Sequence, residues 1–164
     1  MKIKILIFFL LVLSLNAQSI SQNSSSSAFA NLIVPLSISA SYGNLDFGEI
    51  ILTKTQFQKN ISPLSGQLFI ITGQPGRGVS INYSNITITN SSILSTPLGT
   101  VTTIPFIPQV VLDNGTPIKN GQMIPLASKG TIGELRLWVG GTIQIDPNQS
   151  SGLYSGLFTI TVSY

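Results

Sequence analysis

The sequence predicts an all-β fold, and within that class a β-sandwich. Three observations carry the prediction. Beyond residue 17, no window of about 12 residues holds a helical stripe of apolar side chains. The extended runs are built from Val, Ile, Thr, Phe and Tyr, the residues that suit a pleated, half-buried surface. Turn signals recur about every ten residues, the cadence of a sandwich or barrel. Uneven strand lengths and interrupting prolines favour the sandwich. A chain of 164 residues suits one domain, and no internal repeat of fixed period is present.

The elements follow in order. Lys2 and Lys4 precede nine apolar residues, Ile5–Leu13, and Ser14-Leu15-Asn16-Ala17 follows. This order of charge, apolar run and small residue predicts a secretory signal peptide over 1–17. The apolar run is too short for a membrane span, which needs about 20 residues. Residues 18–30 open with QSISQNSSSS, read as a flexible Ser-rich segment. The sandwich is expected over 31–164. The stretch AFANLIVPLSISAS, residues 28–41, spans its start, and in it Leu32, Val34, Leu36 and Ile38 alternate. Pro35 lies on the opposite face, which predicts an edge strand or a change of sheet.

Tyr42-Gly43-Asn44 reads as a turn. LDFGEIIL then reads as a strand whose alternation breaks at Gly48, where a bulge would restore the face. FQKNI and QLFIIT flank PLSG and read as a hairpin. Gly73–Gly78 (GQPGRG) reads as a hairpin turn, and VSINYSNITITN resumes alternation. TVTTIPFIPQVVLD is extended and broken by Pro105 and Pro108. Asn114-Gly115 and Asn120-Gly121 are turn signals. ELRLWV and TIQID are separated by Gly140-Gly141, and Pro147–Gly152 forms a further turn. In GLYSGLFTITVSY, Phe158, Ile160, Val162 and Tyr164 share one face of a final strand. The plain reading makes that strand a buried central one.

Composition bounds the function. Charged residues make up 8% of the chain, against about 25% for an ordinary soluble protein. Residues 18–164 hold six Lys and Arg and five Asp and Glu, a net charge of +1. The basic residues are scattered, so no nucleic-acid partner is expected. So little charge leaves few gatekeepers on strand edges, which favours a protein that meets other protein. Cysteine is absent, so no disulfide staples the fold and no lipid attachment site follows the leader.

Histidine is absent too. With Cys also missing, Ser-His-Asp and Cys-His arrangements, most zinc sites and the usual general base are removed. A carboxylate-only glycosidase needs two acids about 5 to 9.5 Å apart. Asp46 and Glu49 are the candidate pair; the plainer reading makes Asp46 a turn cap and Glu49 a solvated side chain. GQPGRG lacks the Lys-Ser/Thr and the following helix of a phosphate loop. Asp113-Asn114-Gly115 and Asp146-Pro147-Asn148 are too poor in oxygen donors for a calcium loop and read as turns. Neither a cofactor nor a metal is expected. Asn-x-Ser/Thr sequons at Asn23, Asn60, Asn82, Asn85, Asn90, Asn114 and Asn148 matter only in a glycosylating host. Trp138 falls opposite Leu135, Leu137 and Val139; it either stacks a sugar ring or is covered on an inner strand.

Four pieces in order, IVPLSISAS, GNLDFGEI, LWVGGTIQI and GLYSGLFTITVSY, resemble the secreted bacterial family called domain of unknown function 4402. More loosely, the chain is similar to spore coat protein U-type and pilin-like domains. The shared positions are Asp46, Phe47 and Gly48 early in the chain, then Gly140 and Gly141, then Gly152, Tyr154, Gly156 and Tyr164. The resemblance implies an immunoglobulin-like, pilin-like sandwich at the bacterial envelope, in the periplasm, at the cell surface or outside. It implies a non-catalytic structural or adhesive subunit whose partners are itself or other envelope proteins, joined by β-strand addition. In that reading the glycines serve turns and bulges, and Phe47, Tyr154, Phe158, Ile160, Val162 and Tyr164 are core or groove residues. The chain departs from pilins in its extension, which lacks alternating hydrophobes in QSISQNSSSS, and in its tyrosine, which is last rather than next to last. It departs from spore coat-type relatives in having no cysteine. A carbohydrate-binding module is the alternative function, and glycans its partners. No transmembrane segment is expected in the mature chain.

Overall fold

The computed structural model describes residues 26–41, 44–92 and 98–164. The signal peptide expected over 1–17, most of the Ser-rich segment and the Tyr42-Gly43 turn lie outside them. Two compact units are separable, residues 1–32 and residues 33–164. In the first, residues 26–32 are exposed and belong to no strand.

The second unit is all β, as the alternation predicts. Its strands are β1 Ser37–Ala40, β2 Phe57–Ile61, β3 Gln67–Gly73, β4 Gly78–Tyr83, β5 Ile86–Asn90 and β6 Thr103–Leu112. They continue with β7 Gln122–Pro125, β8 Ala127–Lys129, β9 Ile132–Ile145, β10 Tyr154–Ser155 and β11 Ile160–Ser163. The large sheet runs β1-β3-β9-β6-β5-β10, with β2 and β8 also paired to β9; the small sheet runs β11-β4-β7. All of these strand pairings are antiparallel. The two inner faces pack as a sandwich.

The spine is β9. It is one strand of 14 residues, not two strands split by a glycine turn. On one side it pairs β3 through Gly133–Val139 and β2 through Gly141–Ile145. FQKNI and QLFIIT therefore do not form a hairpin. They run along the same edge in the same direction, interrupted by a 3-10 turn at Pro63–Ser65. Gly140 explains the interruption. A Cβ on it would strike the Ile61 carbonyl oxygen and sit 2.6 Å from the Pro63 nitrogen. Only a residue without a side chain lets the detour cross β9 at that height. Gly141 meets the Phe106 ring in the same way, at 2.6 Å.

Other expectations change for equally local reasons. LDFGEIIL turns Leu45, Phe47 and Ile50 inward, with the face shifted after Gly48 as expected and Leu52 exposed, yet it joins no strand. The Asp46 side chain accepts the Gly48 N–H at 2.7 Å, and Gly48 takes φ of 65°. That local turn replaces a ladder bulge. GQPGRG is not a hairpin turn; it carries the chain from β3 in the large sheet to β4 in the small one. Pro105 and Pro108 do not break β6, which stays continuous over ten residues. Both sit within the ladder, opposite Thr87 and Gly141. Since proline has no N–H, each must fill a position that donates no ladder bond. The Asn-Gly turns form as expected, with Gly115 at φ 79° and Gly121 at φ 76°.

The core falls into two clusters. The first holds Ile71, Val79, Ile81, Val110, Ile124, Leu126, Leu137, Val139 and Ile160, drawn from both sheets. The second holds Ile104, Phe106, Ile143 and Ile145. These four come only from β6 and β9, in the large sheet. Fully burying such side chains is worth about 1.5–3 kcal/mol each.

Tyr83 ties the small sheet to the turn before β7. Its hydroxyl donates to the Ile118 carbonyl, and its N–H donates to the Asn120 side chain at 2.8 Å. Burial raises the Tyr83 phenol above its ordinary value of 10.0.

Two outcomes are expected. Gly140→Ala should lower the urea midpoint by the equivalent of about 3 kcal/mol, the upper range for forced overpacking, because the blocking atoms are main chain. Tyr83 favours its neutral form in the fold, so its contribution is complete below about pH 10 and is lost as pH rises toward the raised value. Tyr83→Phe should cost about 0.5–1.5 kcal/mol at neutral pH and flatten that alkaline loss, read by urea titrations from pH 7 to about pH 11.5.

Candidate functional site

The mouth of the sandwich is where the small sheet stops short. Its three strands face a sheet of eight, and no strand of the small sheet roofs the second core cluster. The roof is Leu45, Phe47 and Ile50 from the unladdered segment, with Phe158 from the stretch leading into β11. Phe47 and Phe158 both meet Phe106 edge-on, with centroids at 6.0 and 5.9 Å. Leu45 and Phe158 each touch both clusters. All four roof residues are only half-buried.

Hydrogen bonding marks the same place. Among the described residues, Asn44–Leu52 makes no main-chain hydrogen bond to another strand. β11 pairs β4 on one side and ends the small sheet on the other. It is an edge strand, not a buried central one. The expected alternation holds in it: Ile160 is buried, Val162 and Tyr164 are half-buried, and Thr161 and Ser163 face solvent.

Tyr164 lies away from this mouth, against the first core cluster and beside Gly73. Its hydroxyl accepts the Gln74 N–H at 2.7 Å and donates to the Val34 carbonyl at 3.0 Å. The Gln74 side chain accepts the Val34 N–H at 3.1 Å. The Arg77 guanidinium lies 4.1 Å from the Tyr164 ring centroid, a cation–π contact. The clasp holds the approach to β1, which pairs only β3 and is the edge strand that Pro35 predicts.

The shared positions do not converge on one site. Asp46, Phe47 and Gly48 lie on the roof segment, Gly140 and Gly141 inside β9, and Tyr164 in the clasp. Gly152 and Tyr154 belong to a polar knot: the Tyr154 hydroxyl bonds the Gln149 and Ser150 side chains, each at 2.7 Å. A Cβ on Gly152 would collide with the Asn90 side chain, which itself holds the Ser151 carbonyl at 3.0 Å. Gly156 passes against Ile88 of β5. Gln149 and Asn90 are the members that sequence reading missed; both are polar residues in turn-like settings, with no periodic signal.

Trp138 lies on the outward face of β9, opposite the inward Leu137 and Val139, and is half-buried. Its indole N–H donates to the Asp113 carboxylate, which also pairs Arg136 at 3.5 Å. Asp113 is thus a side-chain anchor as well as part of a turn. Asp146 caps its own turn by accepting the Asn148 N–H at 2.8 Å. Among the described residues no three His, Cys, Asp or Glu cluster as metal ligands, and no helix is long and apolar enough to cross a membrane.

Tyr164→Phe should cost about 1–3 kcal/mol, because it leaves the Gln74 N–H without its acceptor. Hydrogen exchange should then show faster exchange at Gln74 and along β1.

A search of the curated proteins finds no match. The family described as Domain of unknown function (DUF4402) matches residues 36–164. That span covers the eleven described strands, the roof segment and the clasp residues other than Val34, and the chain belongs to this family.

Proposed function

We propose that the chain is a non-catalytic, exported subunit of the bacterial envelope or surface, structural or adhesive, that joins a second copy or another envelope protein by strand addition. One observation supports the reading: part of the core is roofed by a segment without ladder bonds together with Phe158, which leads into β11, an edge strand with no guard. An added strand would supply main-chain partners to β11 and cover the half-buried Leu45, Phe47 and Phe158. The pattern of charge supports it. The four strands that end the two sheets, β1, β7, β10 and β11, hold no charged residue. Edges that must stay single are usually blunted by charge, above all by lysine. β2 and β8, each paired to β9 alone, do carry Lys59 and Lys129. Export rests on the sequence of residues 1–17. The non-catalytic reading fits the local work of Asp46, whose carboxylate holds the Gly48 N–H.

Donors of the right character are present in the chain itself. Phe29, Leu32 and Ile33 are exposed by 95%, 84% and 60%, too much apolar surface for a solvated spacer. A second reading, a carbohydrate-binding module, is favoured by the outward, half-exposed Trp138.

Light scattering on a sizing column tests the first reading. The mature chain should show concentration-dependent masses above the monomer. The double variant Thr161→Lys/Ser163→Lys, which charges only the solvent face of β11, should be monomeric with an unchanged circular dichroism spectrum. A wild-type chain that stays monomeric at every concentration, alone and with envelope extract, removes the strand-addition reading.

A further inference from the structure

We infer that the outer face of the large sheet holds a site for a neutral oligosaccharide, in the cleft between the Asp113 turn and β8 and running onto the Trp138 ring. The inference rests on the carbohydrate-binding reading and gives it a place. The cleft comes from a break in the ladder. On this side β9 pairs β8 as far as Glu134 and β6 from Leu137 onward. Leu135 and Arg136 have no strand beside them there. The gap opens a cleft of about 470 Å³ whose lining includes Leu112, Asp113, Ala127, Lys129, Glu134 and Arg136. That volume is within the range of small-ligand sites.

The charge in the cleft is concentrated and balanced. Residues 18–164 hold eleven charged side chains, and four of them line this one cleft. Lys129 pairs Glu134 at 2.7 Å, and Arg136 pairs Asp113 at 3.5 Å. Two positive and two negative groups leave no net field to select an anion or a cation. They do present donors and acceptors side by side, which is what a polyhydroxylated neutral ligand needs. The apolar lining of Leu112, Leu135 and Ala127 suits the hydrophobic faces of such a ligand.

Trp138 does not line the cleft itself; it adjoins it through Asp113 and would extend it as a platform. It follows Glu134 and Arg136 on the same outward face of β9. Its N–H is already committed to Asp113, so the ring itself is what remains for a partner. A ring fixed at its polar corner is oriented in advance, and a rigid aromatic surface binds at low entropic cost.

Trp138 is the single tryptophan of the chain, so its emission reports directly on this face. The full mature chain would be titrated with cellohexaose, chitohexaose, maltohexaose and laminarihexaose. At least one should give a saturable emission change that persists in about 0.5 M salt, because the ligand is uncharged. By calorimetry, Trp138→Phe and Arg136→Gln should each weaken that binding by roughly tenfold or more, while Lys119→Gln leaves it unchanged. Binding that is equal in all three variants would overturn this cleft and leave the carbohydrate-binding reading standing elsewhere. No saturable change with any of the four sugars, with calorimetry also silent, would overturn both.

Discussion

The fold depends on one strand being allowed to pass where a side chain would stop it. β9 is paired along both edges, by β2 and β3 on one and by β6 and β8 on the other. A strand in that position must be continuous, or both edges lose their register together. It must also tolerate the 3-10 detour between β2 and β3. Gly140 reconciles the two demands by removing the one atom that the Ile61 carbonyl would strike. The detour returns the chain to the ladder at Gln67, and the register of β3 then sets the face on which Phe69 and Ile71 meet the core. From there the connection through Gly73–Gly78 places β4, and β4 holds both β7 and β11. The small sheet is therefore positioned by a contact in the large one.

Much of this was legible in the sequence. The all-β class, the edge position of β1, the two Asn-Gly turns and the inward face of Phe158, Ile160, Val162 and Tyr164 all follow from period-two patterning and turn chemistry. What was not legible was connectivity. Gly140-Gly141 looks like a turn because isolated glycines usually punctuate strands; here the reason is a close approach from a segment some 80 residues away in sequence. PLSG looks like a hairpin because two strands flank it, and nothing local says that both pair with a third. LDFGEIIL has the alternation of a strand because its side chains do face a core. Periodicity reports which face is buried, not whether the main chain has a ladder partner.

The candidate site was legible only in part for the same reason. Tyr164 and Phe47 stood out as motif residues, yet the clasp with Gln74 and Val34 needs the sheet-to-sheet connection before it can be seen. Trp138 stood out as a lone aromatic, while its partner Asp113 looked like a turn residue and no more. Side-chain pairs set by tertiary register leave no spacing signal.

The scarcity of charge separates two accounts of the edges. If it were a uniform property of composition, eleven charged residues would thin out everywhere. They do not. Residues 78–112 and residues 147–164 contain none, while four gather in the Asp113–Arg136 cleft. The single-partner strands β2 and β8 keep a lysine each, so this chain does use the ordinary guard against pairing. It withholds that guard from β11, whose approach carries Phe158, which with Leu45, Phe47 and Ile50 roofs the second core cluster among the described residues. An unguarded edge alone would be a solubility fault, and an under-roofed core alone would be a stability fault. On the strand-addition proposal the two are linked through Leu45 and Phe158, which touch both clusters: a single added strand would supply both the missing ladder bonds and the missing cover.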